Sequence, residues 1–129
     1  DSLVRGTSSR AIIKALRRGG ARKISMVITY PPIKFPCFAG IDFPSQEELA
    51  TYTDGKDYSD EQIIEKVRND IGADFLGYND PENLARAIGI PIDSMCFTCT
   101  TGNYSSLGIK PIFKTLAQLE GSKWILHMY

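Results

Sequence analysis

The feature that most constrains the fold is a short, densely apolar segment followed by two prolines. Residues 23–30, KISMVITY, hold four large aliphatic or thioether side chains, too many for a strand with one face in water. Strands buried on both faces are typical of parallel sheets covered by helices. Pro31 and Pro32 end the strand because proline has no amide to donate.

Helical patterns lie on both sides of this strand. Segment 8–18 has an apolar stripe and ends at two glycines. Ser45 and Ser59 each precede a Glu or Gln by three residues, a pattern that caps the start of a helix, and Asp80 before Pro81 predicts a further start. The side chains predicted to face the core are Ile12, Ile13, Ala15, Leu16, Leu84, Ala87 and Ile88.

A second strand is predicted over residues 73–78, so strands and helices alternate. This order indicates an α/β domain with a mostly parallel sheet. We expect residues 1–105 to belong to that domain, and residues 106–129 to form a helical and apolar tail. Because the chain opens inside a motif, we also expect it to be part of a longer protein.

The composition argues against several classes of protein. The 15 basic and 15 acidic side chains give zero net charge, which does not favour nucleic acid or an acidic membrane surface as a partner. No apolar run approaches the roughly 18 residues of a membrane helix, and the polar opening does not resemble a secretory signal. Three cysteines cannot form a complete disulfide framework, so we expect a cytoplasmic protein in a reducing compartment.

The opening sequence DSLVRGTSSR has the composition of an anion-binding loop. Gly6 allows the backbone to approach a ligand closely, and the hydroxyl residues Thr7 and Ser8 begin a helix whose amides and dipole favour a phosphate. Arg5 adds positive charge, and the Asp1 carboxylate can accept ribose hydroxyls or reach Mg²⁺ through water. A sugar with vicinal hydroxyls and a 5-phosphate satisfies both halves.

The simpler alternative is that these hydroxyl residues only cap the helix and that Arg5 is solvated. The loop has neither the GxxxxGK[ST] nor the GxGxxG pattern. On the residues alone, the two interpretations are about equally well supported.

Cysteines form the second candidate site. Cys96 and Cys99 are spaced C-x-x-C, which directs two thiolates at one metal centre, and Cys37 lies on a proline-rich loop. Three ligands leave open an iron–sulfur cluster completed from elsewhere, a zinc ion with His127 as the fourth ligand, or plain buried thiols.

Four segments resemble one family in the same order along residues 1–104. DSLVRGTSS is similar to the phosphoribosyl pyrophosphate (PRPP) signature of amidophosphoribosyltransferases, and PPIKFPCFAGID, DIGADFLGY and CFTCTTGNY are similar to three further segments of those enzymes. The resemblance implies the C-terminal part of a type I phosphoribosyltransferase domain. It also implies that glutamine-derived ammonia attacks C1 of PRPP, which gives 5-phosphoribosylamine for purine biosynthesis.

The resemblance also assigns roles to individual residues. Asp1 matches the second of two acids that bind the ribose diol and Mg²⁺; the first acid is not in this chain. The residues implied to bind the substrate phosphate and ribose are Asp1, Ser2, Arg5, Gly6, Thr7 and Ser8. Cys37, Cys96 and Cys99 match ligands of the [4Fe–4S] cluster found in one branch of the family, with a fourth cysteine outside this chain.

The implied partners are PRPP, purine nucleotides, an N-terminal glutaminase portion and further copies of the full protein. We expect this chain alone to be inactive, because the glutaminase and the pyrophosphate loop are absent from it. Two other functions stay open: a non-catalytic module that binds PRPP or a nucleotide, and a structural metal domain. The sequence further predicts that Gly6→Val abolishes 5-phosphate binding but leaves helix packing nearly intact.

Overall fold

The computed structural model describes residues 2–37 and 45–105. Its helices and strands, in chain order, are α1 (Thr7–Arg18), β1 (Ser25–Ile28), α2 (Asp60–Ile71), β2 (Phe75–Tyr78), α3 (Pro81–Ile88) and the short α4 (Thr98–Thr101). A 3-10 turn, Ile92–Ser94, precedes α4. None of the helices in the described ranges is long and apolar enough to cross a membrane.

The two strands pair in parallel, with Ser25 opposite Phe75 and Ile28 opposite Tyr78. A parallel pair needs a crossover connection, which here contains α2. The predicted α/β class is therefore confirmed in the part of the chain that the structure covers.

Local signals start and end α2 and α3 as predicted. The Ser59 side chain accepts the amide of Gln62, whose own side chain accepts the Ser59 amide, so both halves of the capping box form. Asp80 caps α3 with Pro81 in the first turn. Gly72 ends α2 in the left-handed region, where glycine has no steric cost.

The main core lies between the sheet, α1 and α2. Its buried residues are Leu3, Ile13, Ile24, Ile28, Val67, Ile71, Ala73 and Leu76. Asp74 connects α1 to the residue before β1, because its carboxylate accepts the Ile24 amide at 2.6 Å and the Arg17 guanidinium at 2.7 Å. Leu3 is buried in this core, which anchors the segment before α1.

The helix predicted to begin at Ser45 is wrong, because residues 46–51 form successive turns. The Ala50 amide donates to the Val4 carbonyl at 2.7 Å rather than to a carbonyl one helical turn back. The Glu48 carboxylate, expected to accept the Ser45 amide, instead accepts the Arg5 guanidinium. Long-range bonds thus replace the local capping box.

Several predictions of burial are also wrong. In α1 only Ile13 is buried, and Ile12 and Leu16 are 53% and 47% exposed. In α3 the buried residue is Ala85, whereas Ile88 is 51% exposed. Val27 of β1 is 70% exposed, because in the described ranges the sheet is covered on one face only.

Candidate functional site

The candidate phosphate loop, residues 2–9, changes direction at Gly6. This glycine has φ 71° and ψ 1° and stands immediately before α1. A side chain is strained in that left-handed conformation. A Cβ here would also lie 3.3 Å from Cγ2 of the buried Ile71, so Gly6→Val disturbs the core as well, contrary to the expectation that packing stays nearly intact.

The first turn of α1 presents its amides without protein partners. Within the described residues, the amides of Thr7, Ser8 and Ser9 donate to no acceptor, and the first bond of the helix runs from Arg10 to Gly6. Thr7 and Ser8 are exposed. Unpaired amides at a helix start, aligned with the helix dipole, favour an anion. The alternative that these hydroxyls cap the helix is wrong, because no side-chain cap forms.

Arg5 pairs with the acidic side chain of Glu48. Its Nε and Nη2 donate to Oε2 of Glu48 at 2.9 and 2.5 Å, and the Arg10 guanidinium donates to the Arg5 carbonyl at 3.3 Å. The hydrogen bond from Arg5 holds the pKa of the Glu48 carboxyl below its usual range, so this carboxyl stays ionised at neutral pH.

A cavity of about 470 Å³ lies beside the loop. Arg5, Glu48, Tyr52 and Lys66 contribute to its walls. In the described structure the exposed first turn of α1 does not line it. Arg5 of the candidate phosphate loop therefore borders this cavity, whereas Gly6, Thr7 and Ser8 do not.

Asp1 lies outside the described residues, and Ser2 is exposed at the start of the loop. The roles of Asp1 in ribose and Mg²⁺ binding, and of Ser2 in substrate binding, therefore stay predictions. Gly6 is buried in a left-handed conformation, and Thr7 and Ser8 are exposed in the first turn of α1. Their roles in phosphate binding likewise stay predictions.

The structure brings the cysteine-bearing loops together. The amides of Lys34 and Phe35 both donate to the Cys99 carbonyl at 2.9 Å, which joins the loop of Cys37 to the C-x-x-C segment. Cys37 and Cys99 pack in the same small apolar cluster, together with Ile33, Leu49, Val4 and Tyr30. Cys96 is exposed.

Two tyrosines support this arrangement. The Tyr30 hydroxyl donates to the Cys96 carbonyl at 3.3 Å and lies 3.8 Å from Cys99 Sγ. The buried Tyr104 hydroxyl donates to the Pro36 carbonyl at 2.7 Å, next to Cys37. Sequence reasoning missed both, because neither contact is local in sequence.

The thiols have different environments. Burial raises the pKa of Cys99, and the nearby Cys37 and Cys96 raise it further. A hydrogen bond with the Thr98 side chain lowers the pKa of Cys96. Burial, with Cys99 as the next cause, raises the pKa of Tyr30 to about 12, so this phenol stays protonated and can donate.

The three thiols are free in the structure. No group of three or more His, Cys, Asp or Glu side chains in residues 2–37 and 45–105 converges closely enough to hold one metal ion. Whether Cys37, Cys96 and Cys99 hold a metal or a cluster therefore stays a prediction. His127, the zinc ligand considered from the sequence, lies outside the described residues.

Known proteins with similar sequences share one name. The chain is 41% identical over 104 residues to an amidophosphoribosyltransferase of Mycobacterium leprae and 40% identical over 108 residues to that of Bacillus subtilis. Each match covers 81% of this chain but 18% and 21% of the relative, so the chain spans about a fifth of their length. No family model matches the chain.

Solved structures agree with the sequence relatives. Glutamine PRPP amidotransferase from B. subtilis, complexed with ADP and GMP, matches with a TM-score of 0.64 and 39% identity over 80% of this chain and 22% of the other. A structure described as the allosteric regulatory enzyme of purine biosynthesis matches with a TM-score of 0.67 and 39% identity over 81% and 22%. The chain is therefore related, by sequence and by fold, to one segment of the amidophosphoribosyltransferases.

Proposed function

We propose that this chain supplies the 5-phosphate wall of the PRPP site in an amidophosphoribosyltransferase. The observation that carries the proposal is the first turn of α1, where the amides of Thr7, Ser8 and Ser9 have no protein acceptor in the described structure. The relationship to amidophosphoribosyltransferases supports the identity of the ligand.

The residues of this chain would act mainly by positioning. The amides of the turn and the hydroxyls of Thr7 and Ser8 would hold the 5-phosphate, which fixes C1 of the sugar in front of ammonia. The proposed role of Asp1 is to hold the ribose hydroxyls. Mg²⁺, when bound, offsets the charge of the pyrophosphate leaving group. The remaining substrate contacts and the release of ammonia from glutamine belong to other parts of the protein.

Binding of ribose 5-phosphate to the full-length protein, measured by calorimetry, tests this proposal. A hydrogen bond to a charged group contributes about 1.5–3 kcal/mol, so Thr7→Val or Ser8→Ala should each weaken binding by roughly 10- to 100-fold. Ser59→Ala is the matched control, because that hydroxyl caps α2 instead. Equal affinity for ribose and ribose 5-phosphate in the unmodified protein would contradict the proposed 5-phosphate site.

Product formation separates the enzyme from a non-catalytic binding module. The full-length protein should release pyrophosphate from PRPP when glutamine or ammonia is supplied. Binding of PRPP without any pyrophosphate release would favour the module. Binding of purine nucleotides and assembly into a homo-oligomer are further proposals, which nucleotide titration and light scattering would test. The expected cytoplasmic location stays a prediction that imaging of a tagged full-length protein would check.

We also propose that Cys37, Cys96 and Cys99 hold a [4Fe–4S] cluster with a fourth cysteine from outside this chain. Support comes from the joined cysteine loops and from a donor set made only of thiols. Full-length protein expressed without oxygen should be brown and contain iron and sulfide in equal amounts, and Cys99→Ser should lower both. A colourless protein with stoichiometric zinc would contradict the cluster.

A further inference from the structure

Glu48 stands out because it pairs with the candidate phosphate loop without facing the ligand. Both Nε and Nη2 of Arg5 donate to one carboxylate oxygen of Glu48, Oε2, which restrains the guanidinium through two N–H groups. Ser45 donates to the other carboxylate oxygen at 3.2 Å, so the carboxylate itself is oriented.

A second tie runs between the same two segments. The Ala50 amide donates to the Val4 carbonyl at 2.7 Å, and Lys66 of α2 donates to the Ala50 carbonyl at 3.1 Å. Val4 and Arg5 directly precede Gly6. The carbonyl of Val4 and the side chain of Arg5 are therefore both bonded to residues 48–50 just before the chain enters α1.

The ion pair contributes little to stability. Its two side chains are 37% and 39% exposed, and exposed pairs of this kind have small effects on folding. The pair therefore serves mainly to fix the geometry of the loop. In the described residues the amides of Thr7 and Ser8 have no acceptor, which leaves that turn open for an anion.

From these contacts we infer that Glu48 is a positioning residue for 5-phosphate binding, which acts by holding Arg5 and so the direction of the loop. The inference rests on the proposed function and names a residue that sequence spacing assigns to a helix cap. Arg5, on this view, is a structural brace of the loop rather than a ligand of the phosphate.

The test compares Glu48→Gln and Glu48→Ala with Glu47→Gln in the full-length protein. Glu47 is the adjacent exposed acid, so its variant removes the same charge from the same segment. Both Glu48 variants should raise the KM for PRPP by roughly 10-fold or more, because a small misplacement of a binding group has large effects. The KM for glutamine, kcat and the thermal midpoint should match those of Glu47→Gln. The reversed pair, Arg5→Glu with Glu48→Arg, should recover part of the PRPP affinity.

Two results would overturn the inference. One is an unchanged KM for PRPP in both Glu48 variants. The other is a lower KM, which would mean that Glu48 competes with the phosphate for Arg5. Failure of the unmodified protein to bind ribose 5-phosphate would instead overturn the proposed function, and calorimetry with that probe distinguishes the two failures.

Discussion

Gly102→Ala should separate the two loops that carry the cysteines. Gly102 is buried at the end of α4 with φ 70°, and a Cβ there would lie 2.9 Å from Cζ and 3.0 Å from Cε2 of Phe35. The left-handed conformation costs alanine about 1–2 kcal/mol, and overpacking against the ring adds about 1–3 kcal/mol. The expected destabilisation is therefore roughly 2–5 kcal/mol.

Gly89→Ala is the matched control for this change. Gly89 also ends a helix, with φ 77°, but a Cβ there meets nothing within 4 Å. Urea unfolding followed by circular dichroism should give about 1–2 kcal/mol for this variant. The difference between the two variants isolates the collision with Phe35. Phe35→Leu combined with Gly102→Ala should be less destabilised than the sum of the single changes.

Hydrogen exchange adds a local measurement. Displacement of the Phe35 ring should lengthen the bonds from the Lys34 and Phe35 amides to the Cys99 carbonyl, so both amides should lose protection in Gly102→Ala but not in Gly89→Ala. Equal destabilisation by the two alanine variants, with unchanged protection of these amides, would contradict the predicted collision with Phe35.

Three smaller predictions concern side chains already described. Ser59→Ala removes the hydroxyl that accepts the Gln62 amide, one half of the α2 capping box, and should lower the free energy of unfolding by about 1 kcal/mol. The hydrogen bond from the Ile24 amide, and then that from Arg17, lower the pKa of the Asp74 carboxyl. The contribution of Asp74 to stability is therefore present above its unfolded-state pKa and lost as pH falls through its lower folded-state pKa. In urea titrations at a series of pH values, Asp74→Asn should reduce the loss of stability at acid pH. Tyr104→Phe leaves a buried carbonyl unpaired and should cost about 1–3 kcal/mol, whereas Tyr78→Phe, whose buried hydroxyl has no protein partner in the described structure, should be neutral or stabilising by thermal unfolding.

Local signals in the sequence predicted the elements whose bonds are local. The Ser59 capping box and the Asp80 start are set by atoms three residues apart, and both helices begin as expected. The same pattern at Ser45 failed because Glu48 and Ala50 bond to residues more than 40 positions away. A spacing rule carries no information about such partners.

Burial was less predictable than secondary structure. The predicted apolar stripe of α1 includes Ile12, Ile13 and Leu16, yet only Ile13 is buried, and Ile12 and Leu16 are exposed. Which edge of an amphipathic helix is buried depends on what packs against it, and periodicity alone does not supply that. The turn at Gly6 and the start of α1, by contrast, were predictable because they depend on one glycine and on the first turn of one helix. The binding of a phosphate there stays a prediction.

The two candidate sites are distant in sequence but share one apolar support. Val4, which belongs to the candidate phosphate loop, packs in the same small apolar cluster as Leu49, Cys37 and Cys99. Because protein interiors are close-packed, a shift of the cysteine loops has to be accommodated by these neighbours. The Val4 carbonyl also accepts the Ala50 amide, so Val4 belongs both to the small apolar cluster and to the contacts that hold the candidate phosphate loop. Because Val4 makes both contacts, we expect a displacement of the cysteine loops to alter the geometry of the candidate phosphate loop.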